Sequence, residues 1–320
     1  MRDPQVSVVM PVYNAECYVA EAIESILSQT YTTFEFLIFN DGSTDRSLDI
    51  LKTYTERDER VHVFSGPHKG YVPWLNEGLR VAQGQFIARM DADDISLPLR
   101  FDRQVEYLRR HPECVVVGCD LLQIDSDGDP LSEVRHDVEH QGIEADLLRG
   151  GFEVIAHPTC MMRRSALLAV GGYREEFEGI EDFDLWFRLA EQGLLANLPE
   201  VLFNYRVHHA NVIFTQVERQ KQVADRIISE ARLRRGLPPL GYSIWSYTPP
   251  SPVGKHQEWA WQAAGSGHHR TALKHAVIAM RMAPFSPQSW LALCVSVVPR
   301  PLRGLLKQTL VCAGLRRGVR

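Results

Sequence analysis

The stretch VSVVMPVYN, residues 6–14, decides the fold class of this chain. Residues 6–13 form a nearly continuous apolar run, which is typical of a strand buried on both faces. The next run, YVAEAIESILSQ at 18–29, repeats its apolar residues at helical spacing. A buried strand that leads directly into an amphipathic helix is the first half of a βαβ unit. We therefore expect an α/β fold.

The same alternation of strand and helix continues to about residue 90. Strands are predicted at 34–40, 61–64 and 85–90, and helices at 46–55 and 74–82. This order builds a mostly parallel central sheet flanked by helices, and right-handed crossovers bring the C-terminal ends of the strands to one edge. Ligands of such sheets bind at that edge. Three polar segments are expected to converge there, namely residues 11–14, 40–45 and 91–94.

The pattern changes to shorter elements after about residue 114. A DSDGD turn at 125–129 predicts a hairpin in this region. Further helices are predicted at 141–149, 184–192 and 214–235, and further strands at 157–164 and 201–208. Residues 237–252 contain five prolines, and two helical segments follow at 255–264 and 270–282. The sequence predicts a main domain at 1–236, a proline-rich linker at 237–253 and a basic helical C-terminal extension at 254–320.

Charge is distributed unevenly along the chain. The 320 residues carry a net charge of −5, but Glu258 is the last acidic residue and nine bases follow it. Residues 289–320 alternate apolar stretches with arginine and lysine, so this tail could lie on an anionic membrane surface. The alternative is a helical cap whose basic face pairs with the acidic main domain. With a pI near 6.2 and no aromatic-basic motif, no nucleic-acid partner is expected.

The cysteines and the hydropathy of the chain indicate where in the cell the protein is located. The six cysteines form no CxxC pair, and the first residues enter a strand pattern without a signal-peptide pattern. The longest apolar run, residues 290–298, is far shorter than the ~20 residues of a membrane span. We expect a cytoplasmic protein, with the basic tail as its candidate contact to the inner face of the plasma membrane.

The segment RMDADDISLP, residues 89–98, places three carboxylates directly after a predicted strand. A solvated turn with capping carboxylates is the simple interpretation, and it suits Asp94. Hard cations such as Mg²⁺ and Mn²⁺ bind carboxylates together with phosphate oxygens and water. Asp91 and Asp93 therefore make this turn a candidate site for a metal-bound diphosphate.

Taken together, the motifs resemble the family 2 inverting glycosyltransferases, nucleotide-diphospho-sugar enzymes of the GT-A fold. The resemblance covers about residues 5–210 and follows the order and spacing of the family's motifs. The matching pieces are VSVVMPVYN (6–14), NDGSTD (40–45), RMDADD (89–94), LPLRFDRQ (97–104), HPTCMMRRSAL (157–167), GGYRE (171–175), EDFDLWFRL (181–189) and YRVHH (205–209). It implies a Rossmann-like GT-A domain and transfer of a sugar to a saccharide or lipid-linked saccharide, as in bacterial surface polysaccharide synthesis.

The resemblance also implies a nucleotide site. Pro11 and Tyr13 match positions that line the nucleoside pocket, although Tyr13 could instead pack under the turn. Asp41 matches the carboxylate that accepts a hydrogen bond from uracil N3–H, which favours a UDP-sugar; Asn40 departs from the family's usual aspartate. Asn76 is the one match in the segment 68–79, where the family usually has an Arg-Asn pair that helps to hold the nucleotide.

Further matches imply a metal site next to the nucleotide. Asp93 matches the metal-binding aspartate of the DxD motif, and Asp91 matches the first aspartate, which reaches the ribose or a metal-bound water. His208 matches a position where relatives place a histidine near the metal or the diphosphate; a structural role is the alternative. Mn²⁺ or Mg²⁺ is the expected cofactor.

The motif EDFDLWFRL, residues 181–189, implies the catalytic centre. Asp182 matches the general base, which removes the proton of the acceptor hydroxyl while that oxygen displaces the diphosphate with inversion. Glu181 is expected to orient acceptor or donor hydroxyls. Trp186 could form a sugar platform, but a core position is the favoured interpretation. Asp184 is expected only to stabilise the start of the helix.

Other functions were weighed against this one. The QxxRW motif of processive members is missing, so a single sugar is expected per encounter. A sugar nucleotidyltransferase needs a glycine-rich basic loop after the first strand, which MPVYNAECY lacks. A noncatalytic nucleotide- or sugar-binding module would need no second carboxylate centre, yet Asp182 and Asp93 both stand in full motifs.

Overall fold

The structure is a computed structural model and describes residues 4–209, 217–244 and 250–297. These residues divide into two units that are not contiguous along the chain. The first contains residues 4–121, 134–205 and 217–244. The second contains residues 122–133, 206–209 and 250–297. The hairpin tip near residue 125 belongs to the same unit as the C-terminal helices, and the domain bounds at 1–236 and 254–320 stay a prediction.

A mixed sheet is the centre of the first unit. Within the described residues it has nine strands, in the order β3-β2-β1-β4-β8-β6-β9-β5, with β7 beside β6. The strands are β1 (Val6–Val12), β2 (Phe34–Asp41), β3 (Val61–Gly66), β4 (Phe86–Arg89), β5 (Ile95–Ser96), β6 (Cys114–Ile124), β7 (Pro130–Val134), β8 (Met161–Arg163) and β9 (Leu194–Arg206).

The first four strands run parallel and confirm the predicted sheet edge. β1 lies between β2 and β4, with Val6 opposite both Phe34 and Phe86. Every residue of β1 and β2 is buried, as the continuous apolar runs predict. Because these strands are parallel, their C-terminal ends meet at one edge. That edge carries Tyr13, Asp41 and Asp91.

Helices cover both faces of the sheet. They are α1 (Val19–Leu27), α2 (Ser47–Thr55), α3 (Tyr71–Val81), α4 (Arg100–Arg110), α5 (His140–Arg149), α6 (Arg164–Ala169), α7 (Glu181–Ala190) and α8 (Val217–Arg234). Alternate residues of β1 enter two different cores: Val9 packs with the cluster that contains α3 and α7, and Val8 and Met10 pack with the cluster that contains α1. This is the predicted α/β architecture.

One predicted strand is only half formed. Residues 157–164 were predicted to be extended, but His157–Thr159 is a 3-10 turn and only Met161–Arg163 pairs as β8. Pro158 explains the difference, because it lacks the N–H that a sheet ladder requires. The hairpin prediction is confirmed, with the DSDGD turn joining β6 to β7.

The second unit contains three further helices. They are α9 (Pro252–Ser266), α10 (His269–Met282) and α11 (Pro287–Val297). Small residues let the helices approach closely, because Ala260, Ala276 and Ala292 form their shared core. Residues 298–320, which carry most of the predicted basic tail, lie outside the described residues. Within the described chain, no helix is long and apolar enough to cross a membrane.

Gly78 of α3 and Gly265 of α9 give a matched test of this packing. A Cβ on Gly78 would lie 2.6 Å from Cγ1 of Val9, whereas a Cβ on Gly265 would meet no atom within 4 Å. We expect Gly78→Ala to lower the free energy of unfolding by about 1–3 kcal/mol through overpacking. Gly265→Ala should raise it by about 0.5–1 kcal/mol, because alanine favours the helix. Urea unfolding followed by circular dichroism measures both, and equal effects would contradict the packing at β1.

Candidate active site

Asp41 ends β2 as a buried carboxylate with several donors around it. The backbone N–H of Lys69 and the indole Nε1 of Trp74 donate to Oδ1 at 2.8 and 2.7 Å. The backbone N–H of Gly70 donates to Oδ2 at 3.1 Å, and Nδ1 of His68 lies 2.8 Å from the same oxygen. Asp41 therefore fixes the segment between β3 and α3. A base N–H could reach this carboxylate only by replacing one of these donors.

The side chain of His68 is the most replaceable of them. It is 56% exposed, and its ring stacks on Tyr13 with centroids 4.2 Å apart. Tyr13 itself is exposed, so it does not pack under the turn. The stacked rings form a flat aromatic surface at the sheet edge, next to Asp41. Pro11 lies behind them as a buried residue of β1.

Asn76 on α3 has a contact that the sequence does not indicate. Its Oδ1 accepts the backbone N–H of Tyr173 at 2.9 Å, and its Nδ2 donates to the carbonyl of Tyr173 at 2.9 Å. Both ends of the amide are thus used to hold one backbone position. Its nucleotide contact stays a prediction, while its role in placing Tyr173 is visible.

Asp91 forms an ion pair with a buried arginine. Nη2 of Arg89 lies 2.6 Å from Oδ1 of Asp91, and Nη1 of Arg89 donates to the carbonyl of Met90. Burial alone would lower the pKa of Arg89, but Asp91, Tyr173 and Glu181 raise it above its ordinary value. The guanidinium is therefore a permanent positive charge beneath the acidic turn. The charge of Glu181 also acts on its pKa.

The remaining carboxylates of this turn lie close to Tyr205 at the end of β9. Burial, followed by the charges of Asp94, Asp91 and Asp93, raises the pKa of Tyr205 well above its usual range. Asp94 is buried, whereas Asp91 and Asp93 are partly exposed. The two accessible carboxylates supply hard oxygen ligands, and the surrounding negative charge favours a cation. Asp91 and Asp93 thus fit a divalent metal.

A hydrogen-bonded chain of four side chains lies beneath the start of α7. The hydroxyl of Tyr173 lies 2.9 Å from Nε2 of His157, and Nδ1 of His157 lies 3.3 Å from Oε1 of Glu181. The hydroxyl of Tyr71 donates to Oε2 of Glu181 at 2.7 Å. Although burial disfavours its charge, His157, Tyr71 and backbone N–H groups hold the pKa of Glu181 below its ordinary value. Glu181 is therefore a buried, fixed carboxylate that is not free to bind a sugar.

Asp182 differs from its neighbour in exposure and in pKa. It is partly exposed, and its Oδ1 accepts the backbone N–H of Phe183 at 2.8 Å. Burial and the charge of Glu181 raise the pKa of Asp182 to about 6. An accessible carboxylate with this pKa is charged at neutral pH and still basic enough to accept a proton.

Arg100 joins the end of β4 to the segment before β8 through the backbone. Its Nη2 donates to the carbonyls of Arg89 at 2.9 Å and of Cys160 at 3.1 Å. Cys160 directly follows the 3-10 turn that carries His157, and the charge of Asp182 acts on its thiol. Burial lowers the pKa of Arg100 to about 10, so it remains charged. Arg89, which pairs with Asp91, and Asp182 both act on the pKa of Tyr173, so the two carboxylates lie in the same part of the first unit.

Two other residues of α7 have structural roles. Trp186 is fully buried, so it belongs to the core and cannot form the sugar platform considered as an alternative. Asp184 is buried between Arg174 and Arg188, whose Nη2 lies 2.6 Å from Oδ2 of Asp184. Asp184 anchors the helix, as expected. His208 lies beyond β9 in the second unit, and its role as a metal ligand stays a prediction.

A separate carboxylate cluster lies in the second unit. Asp125, Asp127 and Asp129 bring their oxygens within 4.8 Å of one another, so among the described residues they form a group that could hold a metal ion. Nζ of Lys274 lies 2.6–2.7 Å from an oxygen of each of them, and Nε2 of His275 lies 2.9 Å from Asp125. The lysine ammonium offsets one of the three negative charges, and it ties the β6–β7 turn to α10.

The sheet, the acidic turn after β4 and the carboxylate centre on α7 define a glycosyltransferase of the GT-A fold. Residues 7–171, just over half of the chain, match the family model for glycosyl transferase family 2. The chain belongs to this family.

Relatives and solved structures agree with this assignment. The O-antigen biosynthesis glycosyltransferase WbnJ of Escherichia coli is 35% identical over 209 residues, which are 64% of this chain and 80% of WbnJ. TarS (1–349) of S. aureus with UDP-GlcNAc has a TM-score of 0.60 and 17% identity, covering 92% of this chain and 79% of that one. The mannosyltransferase PcManGT of Pyrobaculum calidifontis, with GDP-Man and Mn²⁺, has a TM-score of 0.56 and 18% identity, covering 98% and 87%. At these identities the two structures show the fold alone.

Several residues of the site were missed from the sequence. Arg89, His157 and Tyr173 stand inside quoted motifs, but no role was assigned to them. Tyr71 had no signal, because its partner Glu181 is 110 residues away. A histidine directly before proline in a motif segment was the one signal that could have indicated His157.

The difference between Glu181 and Asp182 can be tested by substitution. Removing the charge of Glu181 should lower the pKa of Asp182 from about 6, because that charge raises it. We expect Glu181→Gln to shift the midpoint of Asp182 towards the ordinary aspartate value in a ¹³C carboxylate titration by NMR. Glu77→Gln is the matched control, since Glu77 pairs with Arg80 on α3. An unchanged midpoint in Glu181→Gln would contradict the coupling.

Proposed function

We propose that this protein transfers one sugar from a UDP-sugar to a hydroxyl of a saccharide or lipid-linked saccharide, with inversion and with a divalent metal. The observation that carries the proposal is Asp182, a partly exposed carboxylate with a pKa of about 6 that acts, like Arg89 beneath the acidic turn, on buried Tyr173. A base of this kind suits proton removal from an acceptor hydroxyl at neutral pH.

The donor would bind along the sheet edge. The aromatic surface of Tyr13 and His68 would flank the base, and Asp41 would accept the uracil N3–H in place of His68. Asp91 and Asp93 would hold Mn²⁺ or Mg²⁺ against the diphosphate. The bound cation would offset the charge that develops on the leaving diphosphate. The TarS structure with UDP-GlcNAc supports a UDP-sugar, and PcManGT with GDP-Man makes a GDP-sugar the rival donor.

Inversion would follow from the placement of the base. Asp182 would take the proton of the acceptor hydroxyl. At the same time the hydroxyl oxygen would bond to the anomeric carbon, and the bond between that carbon and the diphosphate would break. One such displacement on an α-linked donor gives a β-linked product. Glu181 would act indirectly, because its oxygens are already used by His157 and Tyr71.

Lipid-linked acceptors would also place this activity at a membrane. We infer a cytoplasmic enzyme that meets surface-polysaccharide intermediates at the inner face of the plasma membrane. WbnJ, an O-antigen biosynthesis glycosyltransferase, supports such an acceptor. A noncatalytic sugar-binding module is the alternative, and the exposed base at Asp182 argues against it.

A first experiment tests which of the two carboxylate clusters binds the metal. We expect UDP to bind more tightly with Mn²⁺ than without it in calorimetry, and Asp93→Asn to remove this difference. Asp127→Asn is the matched control, because Asp127 belongs to the separate aspartate cluster of the second unit, where it pairs with Lys274. If Asp127→Asn abolishes the Mn²⁺ effect and Asp93→Asn does not, the metal assignment is wrong. Tighter binding of GDP than UDP would reverse the choice of donor.

A second experiment tests the base. We expect Asp182→Asn to reduce sugar transfer by at least about 100-fold, the usual contribution of a general base. Donor affinity should be unchanged, which serves as the control. In the wild type, log kcat/KM should rise with pH up to about 6 and then level off, since Asp182 acts in its charged form. Turnover by Asp182→Asn at the wild-type rate would refute the role.

A further inference from the structure

The imidazole of His68 contacts both side chains that are proposed to hold the base of the donor. Its Nδ1 lies 2.8 Å from Oδ2 of Asp41 and 3.2 Å from the backbone carbonyl oxygen of the same residue. Both neighbours are acceptors, so Nδ1 carries a proton and acts as a donor. The ring stacks on Tyr13, with centroids 4.2 Å apart and an interplanar angle of 24°. His68 therefore presents a flat ring to Tyr13 and a ring N–H to Asp41.

The carboxylate of Asp41 has no acceptor capacity left for a further donor. A carboxylate offers about four lone-pair sites. The backbone N–H of Lys69 and the indole of Trp74 use Oδ1, and the backbone N–H of Gly70 and the ring of His68 use Oδ2. The N3–H of uracil can reach Asp41 only when one of these donors leaves.

The other donors to Asp41 are fixed by the fold. Trp74 is buried, and Lys69 and Gly70 donate through their backbone. The backbone of His68 is fixed as well, because a Cβ on Gly42 would lie only 2.7 Å from its nitrogen. The side chain of His68 differs from these groups, since it is 56% exposed and its ring can rotate into water. Displacing this ring therefore disturbs the fold least.

Uracil has the same two features as the ring of His68. It is flat, so it can stack on Tyr13, and its N3–H can donate to Asp41. One lone pair of the carboxylate accepts only one of these two N–H groups at a time, and both rings need the same space over Tyr13. The base and the ring of His68 therefore exclude each other from this place.

We propose that the ring of His68 occupies the base site of the donor-free enzyme and that the base of the donor displaces it. This role of His68 rests on the proposed function, in which Asp41 accepts the uracil N3–H. The ring keeps the buried carboxylate paired until a donor binds, because an unpaired buried acceptor is costly. It also lowers the apparent affinity for the donor, since only molecules with an open site can bind. The displaced ring then flanks the base on the side away from Tyr13.

Calorimetry with uridine tests the base site by itself, because uridine carries no phosphate and needs no metal. His68→Phe keeps an aromatic ring but cannot donate to Asp41. We expect this variant to bind uridine about fivefold more tightly than the wild type, the factor for one net hydrogen bond. UDP with Mn²⁺ should gain the same factor. His62→Phe is the matched control, because His62 is exposed on β3, and its affinities should equal those of the wild type.

Nuclear Overhauser contacts measured by NMR show directly where the ring of His68 lies. In the ligand-free wild type we expect a contact between the ring protons of His68 and Tyr13, because the two rings are stacked. Uridine should remove this contact by taking the place of the ring. Adenosine has no ring N–H that could replace the hydrogen bond to Asp41, so the same concentration of adenosine should leave the contact in place.

Three results would overturn the role of His68 and leave the proposed function standing. One is the absence of the contact between His68 and Tyr13 in the ligand-free protein, and another is its loss with adenosine as readily as with uridine. The third is uridine binding to His68→Phe that is no tighter than binding to the wild type. If neither uridine nor UDP binds to the wild type or to His68→Phe, the base site is wrong, and the UDP-sugar donor is wrong with it.

Discussion

The ion pair between the buried Arg89 and the partly exposed Asp91 is the interaction on which the active site depends. Five carboxylates, Asp91, Asp93, Asp94, Glu181 and Asp182, belong to this part of the first unit, and charges of one sign repel strongly away from water. Arg89 lies beneath the acidic turn, and Asp91 and Glu181 both act on its pKa. Removing Asp91 would leave the buried guanidinium without its carboxylate partner. Arg89 at the end of β4 therefore stabilises the acidic edge of the sheet.

The same logic separates the roles of two adjacent carboxylates. Glu181 accepts from Tyr71 and meets His157, so its charge is fixed and stabilised. Among the described residues Asp182 has no side-chain hydrogen bond, and burial together with the charge of Glu181 raises its pKa. Neighbours in sequence thus become a structural anion and a reactive base. The chain of hydrogen bonds from Tyr173 to Tyr71 holds this difference in place.

Much of the first unit could be predicted from sequence because its signals are local. The buried strand at 6–13 and the helix after it follow from periodicity, and the parallel order follows from the alternation of strands and helices. The contacts of Asn76, Asp41 and Glu181 could not be predicted. Each depends on a segment at least 27 residues away, as with Asp41 and Lys69 or Tyr71 and Glu181. Motifs locate polar residues at the sheet edge. They do not show which of these residues already make hydrogen bonds or ion pairs within the fold. Trp186 is fully buried, as the favoured interpretation of its position expected.

Anomalous diffraction from crystals grown with UDP and Mn²⁺ would test most directly where the donor binds. We expect one manganese peak beside Asp93 and Asp91, with the diphosphate between it and Asp182. A peak only at Asp125, Asp127 and Asp129, or UDP bound away from the end of β4, would contradict the assignment of the active site.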